Sequence, residues 1–108
     1  MTRGVISALA LLIGAATAHA GGVEIVKGRL TNKDQIPVQL VTATNNTGKM
    51  IEYLNIACGF FSNGTLVAVG LGGAMNVEPR ETVYISVTNG EETETAVDEA
   101  KCRLATSP

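Results

Sequence analysis

Few side chains in this 108-residue chain could do chemistry, and the first to weigh are its two cysteines, Cys58 and Cys102. A redox-active pair normally lies close in sequence, as in Cys-x-x-Cys, and these two do not. A metal site would need further ligands, and the single histidine, His19, lies in a leading segment that the chain is expected to lose. The pair therefore reads as a structural disulfide, with free thiols and intermolecular pairing as the alternatives. Closing a loop of 44 residues is worth roughly 4 kcal/mol in the chain-entropy account. That is a large share of a typical net stability of about 5–15 kcal/mol.

The remaining chemistry is thin. Glu91, Glu92 and Glu94 lie near one another, so an acid/base pair or a weak calcium site is conceivable. Their setting is a polar turn open to water, and no Asp-x-Asp-x-Asn-Gly pattern accompanies them. A solvated loop accounts for them. Gly70-Leu71-Gly72-Gly73 has the look of a phosphate loop but lacks the trailing Lys-Ser/Thr and the following helix. A bulge or bend at a sheet edge is the better reading. Tryptophan is absent, and histidine is absent beyond His19. That removes the commonest general base, the Ser-His-Asp arrangement and the usual zinc site together. The expectation is no catalytic residue, no metal and no cofactor.

The leading segment has a single charge at Arg3, an apolar run from Val5 to Ala16, and small residues ending in Ala18-His19-Ala20. This is the tripartite pattern of a secretory signal peptide cleaved after Ala20. The apolar run is shorter than the ~20 residues a membrane span requires. Residues 1–20 are thus expected to leave, and Gly21–Pro108 to form one domain with no transmembrane segment, periplasmic or secreted. An exported chain with an even cysteine count suits the disulfide.

Across the whole chain 8 Lys and Arg oppose 10 Asp and Glu, and without Arg3 the net charge is −3. No basic stripe offers the phosphate neutralisation that nucleic-acid binders depend on. The same absence argues against lasting attachment to anionic lipid.

The elements that must position these residues are strands. Gly22–Leu30 alternates, with Val23, Ile25 and Leu30 inward and Glu24 and Lys27 outward. Residues 31–37 read as a turn, with Pro37 starting or edging the next strand. Val38–Asn45 alternates with Val38, Leu40 and Thr42 on one face. Met50–Phe61 is the longest candidate, placing Met50, Leu54, Ile56, Cys58 and Phe60 inward and Tyr53 and Phe61 on the other face. Asn63-Gly64 favours a type I′ hairpin turn, and residues 66–75 follow as a strand with a glycine-rich bend. Thr82–Val87 alternates cleanly, with Val83, Ile85 and Val87 inward. Residues 92–104 fit a short helix or a last strand; a strand reaching Cys102 is preferred, because the disulfide must meet the long central strand. The sequons at Asn45 and Asn63 read as turns.

Strands at this spacing, separated by turn signals, indicate a small all-β, antiparallel, immunoglobulin-like sandwich with one disulfide. The stretch "TATNNTGKMIEYLNIACGFFSNGTLVAVG", followed by "NVEPRETVYISV", resembles the FxLYD domain, a small immunoglobulin-like sandwich of bacterial envelope and secreted proteins. Asn45-Asn46-Thr47-Gly48 matches that family's Asn-rich turn, and Phe60-Phe61-Ser62-Asn63-Gly64 sits at its Phe-Tyr-Asp and glycine turn. Val77-Glu78-Pro79-Arg80-Glu81 sits at its Pro-Gly-Glu turn. Ser62 stands where the family has an acidic residue, and Arg80 where it has glycine. The resemblance implies a fold and an envelope setting, and no catalytic activity.

Tyr53, Phe61 and Tyr84 fall off the inward parity on what read as adjacent strands. Exposed, they would form an aromatic partner surface; otherwise they pack under loops or the C-terminal segment. The functional expectation is an exported, non-enzymatic module that binds a protein or an envelope component through a sheet edge or face. A small periplasmic inhibitor of a hydrolase, a structural envelope protein without a ligand, and a hydrolase or metal-dependent enzyme using only carboxylates and hydroxyls are the alternatives.

Overall fold

The computed structural model describes the backbone of residues 17–20 and the whole of residues 22–105. Most of the expected signal segment, residues 1–16, lies outside these described residues. The strands are β1 (Thr17–Ala20), β2 (Val23–Lys33), β3 (Ile36–Asn45), β4 (Ile51–Ser62), β5 (Thr65–Val77), β6 (Thr82–Val87) and β7 (Glu99–Leu104). They form two antiparallel sheets, ordered β1-β2-β3-β6 and β5-β4-β7. Leaving β1 aside, these are the A-B-E and C′-C-F orders of an immunoglobulin-type sandwich. Cleavage after Ala20 would detach β1 and leave β2 as the edge.

Turn chemistry sets the hairpins. Asp34 and Gln35, at φ 54° and 66°, join β2 to β3 with both loop residues left-handed, as a two-residue I′ loop demands. The expected seven-residue turn thus shrinks to two. Pro37 lies inside β3, opposite Asn32 and beyond the stretch that pairs with β6, where its missing N–H removes no ladder bond to that strand. Asn63 and Gly64, at φ 50° and 83°, close β4–β5 as expected.

The core lies between the sheets. Val23 and Ile25 of β2, Val41 and Ala43 of β3, and Ile85 and Val87 of β6 face Leu54, Ile56, Cys58 and Phe60 of β4 and Ala100 of β7. The inner face of β3 therefore carries Gln39, Val41 and Ala43, not Val38, Leu40 and Thr42. Pairing decides this: Gln39, Val41 and Ala43 sit opposite Val87, Ile85 and Val83 of β6, so one continuous apolar surface forms across both strands. Gln39 is accommodated by a bulge between Lys27 and Leu30. Its buried amide nitrogen donates to the carbonyls of Gly28 (2.9 Å) and Leu40 (2.8 Å).

Two further positions depart from the simple alternation. Lys27 shares the inward parity of Val23 and Ile25, and its ammonium donates to the Ala100 carbonyl of β7, capping the gap between the sheets. Met50 is exposed, while Ile51 is buried opposite Val77. Asn76, at φ 52°, breaks the alternation at the end of β5, so Ile51 and Val77 both turn inward.

β7 is a strand from Glu99 to Leu104, and no helix precedes it among the described residues.

Candidate functional site

Cys58 and Cys102 are bonded and sit directly opposite each other on β4 and β7, with Cα atoms 4.0 Å apart. Such a separation belongs to the close, non-hydrogen-bonded pairs of an antiparallel ladder. The bridge ties neighbouring strands of one sheet, with Cys58 fully buried beneath the other sheet and Cys102 half-buried.

The pairing partner of β4 on its other side is built the wrong way round for a core strand. Before the buried Val77 at its end, the inward positions of β5 are Ala68, Gly70, Gly72 and Ala74, set opposite Phe60, Cys58, Ile56 and Leu54. The outward positions are Val69, Leu71 and Met75, which are 54%, 63% and 63% exposed. Small inward residues are required because β6 passes close beside β5 there. A Cβ on Gly70 would lie 2.7 Å from the Thr88 backbone, and one on Gly72 would lie 2.5 Å from the Ser86 carbonyl oxygen. The Leu71 N–H donates to the Thr88 carbonyl across this seam (3.4 Å). The glycine run thus serves close approach within an unbroken strand, where a bend was expected.

The outer face of this sheet has three columns. Large apolar side chains of β5 form one, running from Leu66 to Met75. Ala57 and Gly59 of β4 form a low floor, bounded by Phe61 at one end and by Asn55, with Tyr53 beyond it, at the other. Lys101 and Arg103 of β7 form the third. Between the outer columns lies a groove of about 310 Å³. The Lys101 ammonium stands 5.0 Å from the centre of the Phe61 ring, a cation–π distance.

The three aromatic residues singled out from sequence do not form one patch. Tyr53 and Phe61 are eight residues apart on β4, roughly 27 Å at the usual strand rise. Tyr53 is exposed beside Met75, and Phe61 is half-buried. Tyr84 lies on β6, in the other sheet, because β5 does not pair with β6 along its length; it points outward opposite Thr42. There it borders a second hollow, of about 400 Å³, with Val26, Leu40 and Arg29. The β2 bulge opens that hollow, since Gly28 and Arg29 share the place opposite Leu40.

Glu91, Glu92 and Glu94 are solvent-exposed on the β6–β7 connection, held by Thr93, whose N–H donates to the Gln35 carbonyl (2.9 Å). Among the described residues no group of three His, Cys, Asp or Glu side chains converges as metal ligands, and no helix is long and apolar enough to cross a membrane.

Asn45 has a role its sequon hid. Fully buried, its amide donates to the carbonyls of Lys49 (2.7 Å) and Val77 (3.0 Å) and accepts from the Thr47 N–H and hydroxyl (2.9 and 2.7 Å). This satisfied polar knot clamps the β3–β4 turn to the end of β5. The outward column of β5 was also missed from sequence; its signal is the large–small alternation of Val69 to Ala74, which fits either facing.

The chain matches no known family, no curated protein and no solved structure.

Proposed function

We propose that this chain is an exported, non-enzymatic β-sandwich module that docks a protein or another envelope component on the outer face of the β5-β4-β7 sheet. The observation that carries the proposal is the inverted β5. Val69, Leu71 and Met75 contribute large apolar surface to solvent on a strand whose inward positions from Ala68 to Ala74 are all glycine or alanine, with a large buried side chain only at its end, Val77. Contiguous exposed apolar surface of this kind is the ordinary mark of a partner site. The leader pattern of residues 1–20 and the Cys58–Cys102 disulfide support an oxidising compartment. Arg80, at φ 70°, occupies the left-handed position of the Pro79-Arg80-Glu81 turn, where the FxLYD domain has glycine.

The test is a photocrosslinking amino acid placed at Leu71, and separately at Tyr84, in cells that export the chain. A discrete adduct from position 71, absent from position 84, is expected. No adduct from position 71, or the same adducts from both, would count against the docking face.

A further inference from the structure

The groove over Ala57 and Gly59 has an apolar wall and a cationic wall, and that pairing narrows what it can hold. We infer that it binds a single-chain anionic amphiphile, its carboxylate or phosphate head held by Lys101 and Arg103 and its acyl chain laid along Leu66 and Val69. This rests on the docking-face reading above and gives the occupant a chemical class.

The register supplies the geometry. Lys101 lies across Gly59 from Val69, and Arg103 across Ala57 from Leu71. With neighbouring strands about 4.8 Å apart, the two walls stand roughly 10 Å apart over a floor whose own side chains are only the Ala57 methyl, overhung at the Gly59 end by Leu66 and Phe61. A Cβ on Gly59 would meet Leu66 Cδ1 at 3.0 Å and Phe61 Cε1 at 3.3 Å, so glycine there lets both side chains lean over the floor.

Charge points the same way. The chain is acidic overall, yet consecutive outward positions of β7 are Lys101 and Arg103. Among the described residues neither has an acidic partner within ion-pair distance; Glu99, the next outward residue, lies at the Phe61 end of the groove. A neutral apolar occupant would cover these cations without pairing them, which is costly; an anionic head pairs both. The volume of about 310 Å³ is at the low end of ligand sites, roughly 300–1,000 Å³, which suits one acyl chain and not two. Two cations on an acidic domain are too few to hold it on a bilayer, so the monomeric amphiphile is the occupant.

The experiment is calorimetric titration of the purified, oxidised chain with decanoate, dodecanoate and tetradecanoate below their micelle concentrations. Dodecyl phosphate, dodecyltrimethylammonium and phosphatidylglycerol vesicles form the comparison arms. One dodecanoate or dodecyl phosphate per chain is expected to bind. Each two-carbon extension should tighten Kd about fourfold, as half-burial of the added methylenes requires. The double variant Lys101→Glu/Arg103→Glu, in solvent-facing positions, should keep the parent unfolding midpoint, weaken dodecanoate at least tenfold and prefer dodecyltrimethylammonium. Equal affinity for the anionic and cationic amphiphiles, indifference to the charge reversal, or binding to vesicles alone would overturn the inference. If no amphiphile binds while position 71 crosslinks a discrete envelope protein, the ligand class is wrong and the docking face stands. If both experiments are blank, both fall.

Discussion

In β3 and β6 the aliphatic side chains Val41, Ile85 and Val87 point into the core, and threonine, serine, Leu40 and Tyr84 face out. In β5 the arrangement is reversed, with Ala68, Gly70, Gly72 and Ala74 inside and Val69, Leu71 and Met75 outside. Burial of apolar surface explains the inward residues of β3 and β6, leaving only Leu40 and Tyr84 of their large side chains outside. It does not explain why β5 spends its large residues on solvent. The inner half of β5 answers to the β6 backbone, which leaves no room for side chains at Gly70 and Gly72. The outer half answers to nothing within the described residues, and the contrast teaches that one strand can serve the fold with one face and leave the other free for the docking we propose.

The sharpest way to break the comparison is to loosen the sheet that carries the docking face. Replacing both Cys58 and Cys102 by alanine removes a crosslink closing 44 residues, and denaturant unfolding should record a loss of about 4 kcal/mol. Next in size is the seam between the sheets. In Gly72→Val the new Cβ would stand 2.5 Å from the Ser86 carbonyl and 2.9 Å from Ile85 Cγ2. Neither backbone can yield without parting the sheets, so a loss of about 3 kcal/mol is expected in the same assay.

A smaller effect, of opposite sign, is expected at the β5–β6 turn. Arg80 holds φ 70° while its N–H donates to the Asn45 carbonyl (2.6 Å). Glycine takes that conformation without the Cβ penalty, so Arg80→Gly should raise stability by about 0.5–1 kcal/mol after its own unfolded-chain entropy is counted. A loss would mean that the Arg80 side chain makes contacts that outweigh the backbone term.

How much of this was legible in the sequence depended on whether a local rule had competition. Asn63-Gly64 specifies its turn by backbone conformation alone, and Thr82–Val87 has large apolar residues on one parity only, so both could be read directly. The disulfide followed from cysteine count and compartment reasoning. β3 defeated the pattern because Val38 and Leu40 on one parity compete with Val41 and Ala43 on the other, and only pairing with β6 breaks the tie. Lys27 looked like a solvent-facing charge, yet its long stem reaches a carbonyl between the sheets. The aromatic surface was misassembled for a topological reason: β4 and β6 carry Tyr53, Phe61 and Tyr84 on similar parity, but the chain crosses from one sheet to the other between them. The Gly70–Gly73 run read as a bend because local sequence cannot show that another backbone passes within contact distance.

The account rests most heavily on the outward residues of β5 being idle in the folded domain, and the double substitution Leu71→Thr/Met75→Thr tests that most directly. Both side chains are 63% exposed and threonine suits a strand, so urea unfolding should give a midpoint and slope within about 0.5 kcal/mol of the parent. A loss of about 2 kcal/mol or more, the size expected when packed core side chains are truncated, would show that these residues hold the domain together and would contradict the docking face.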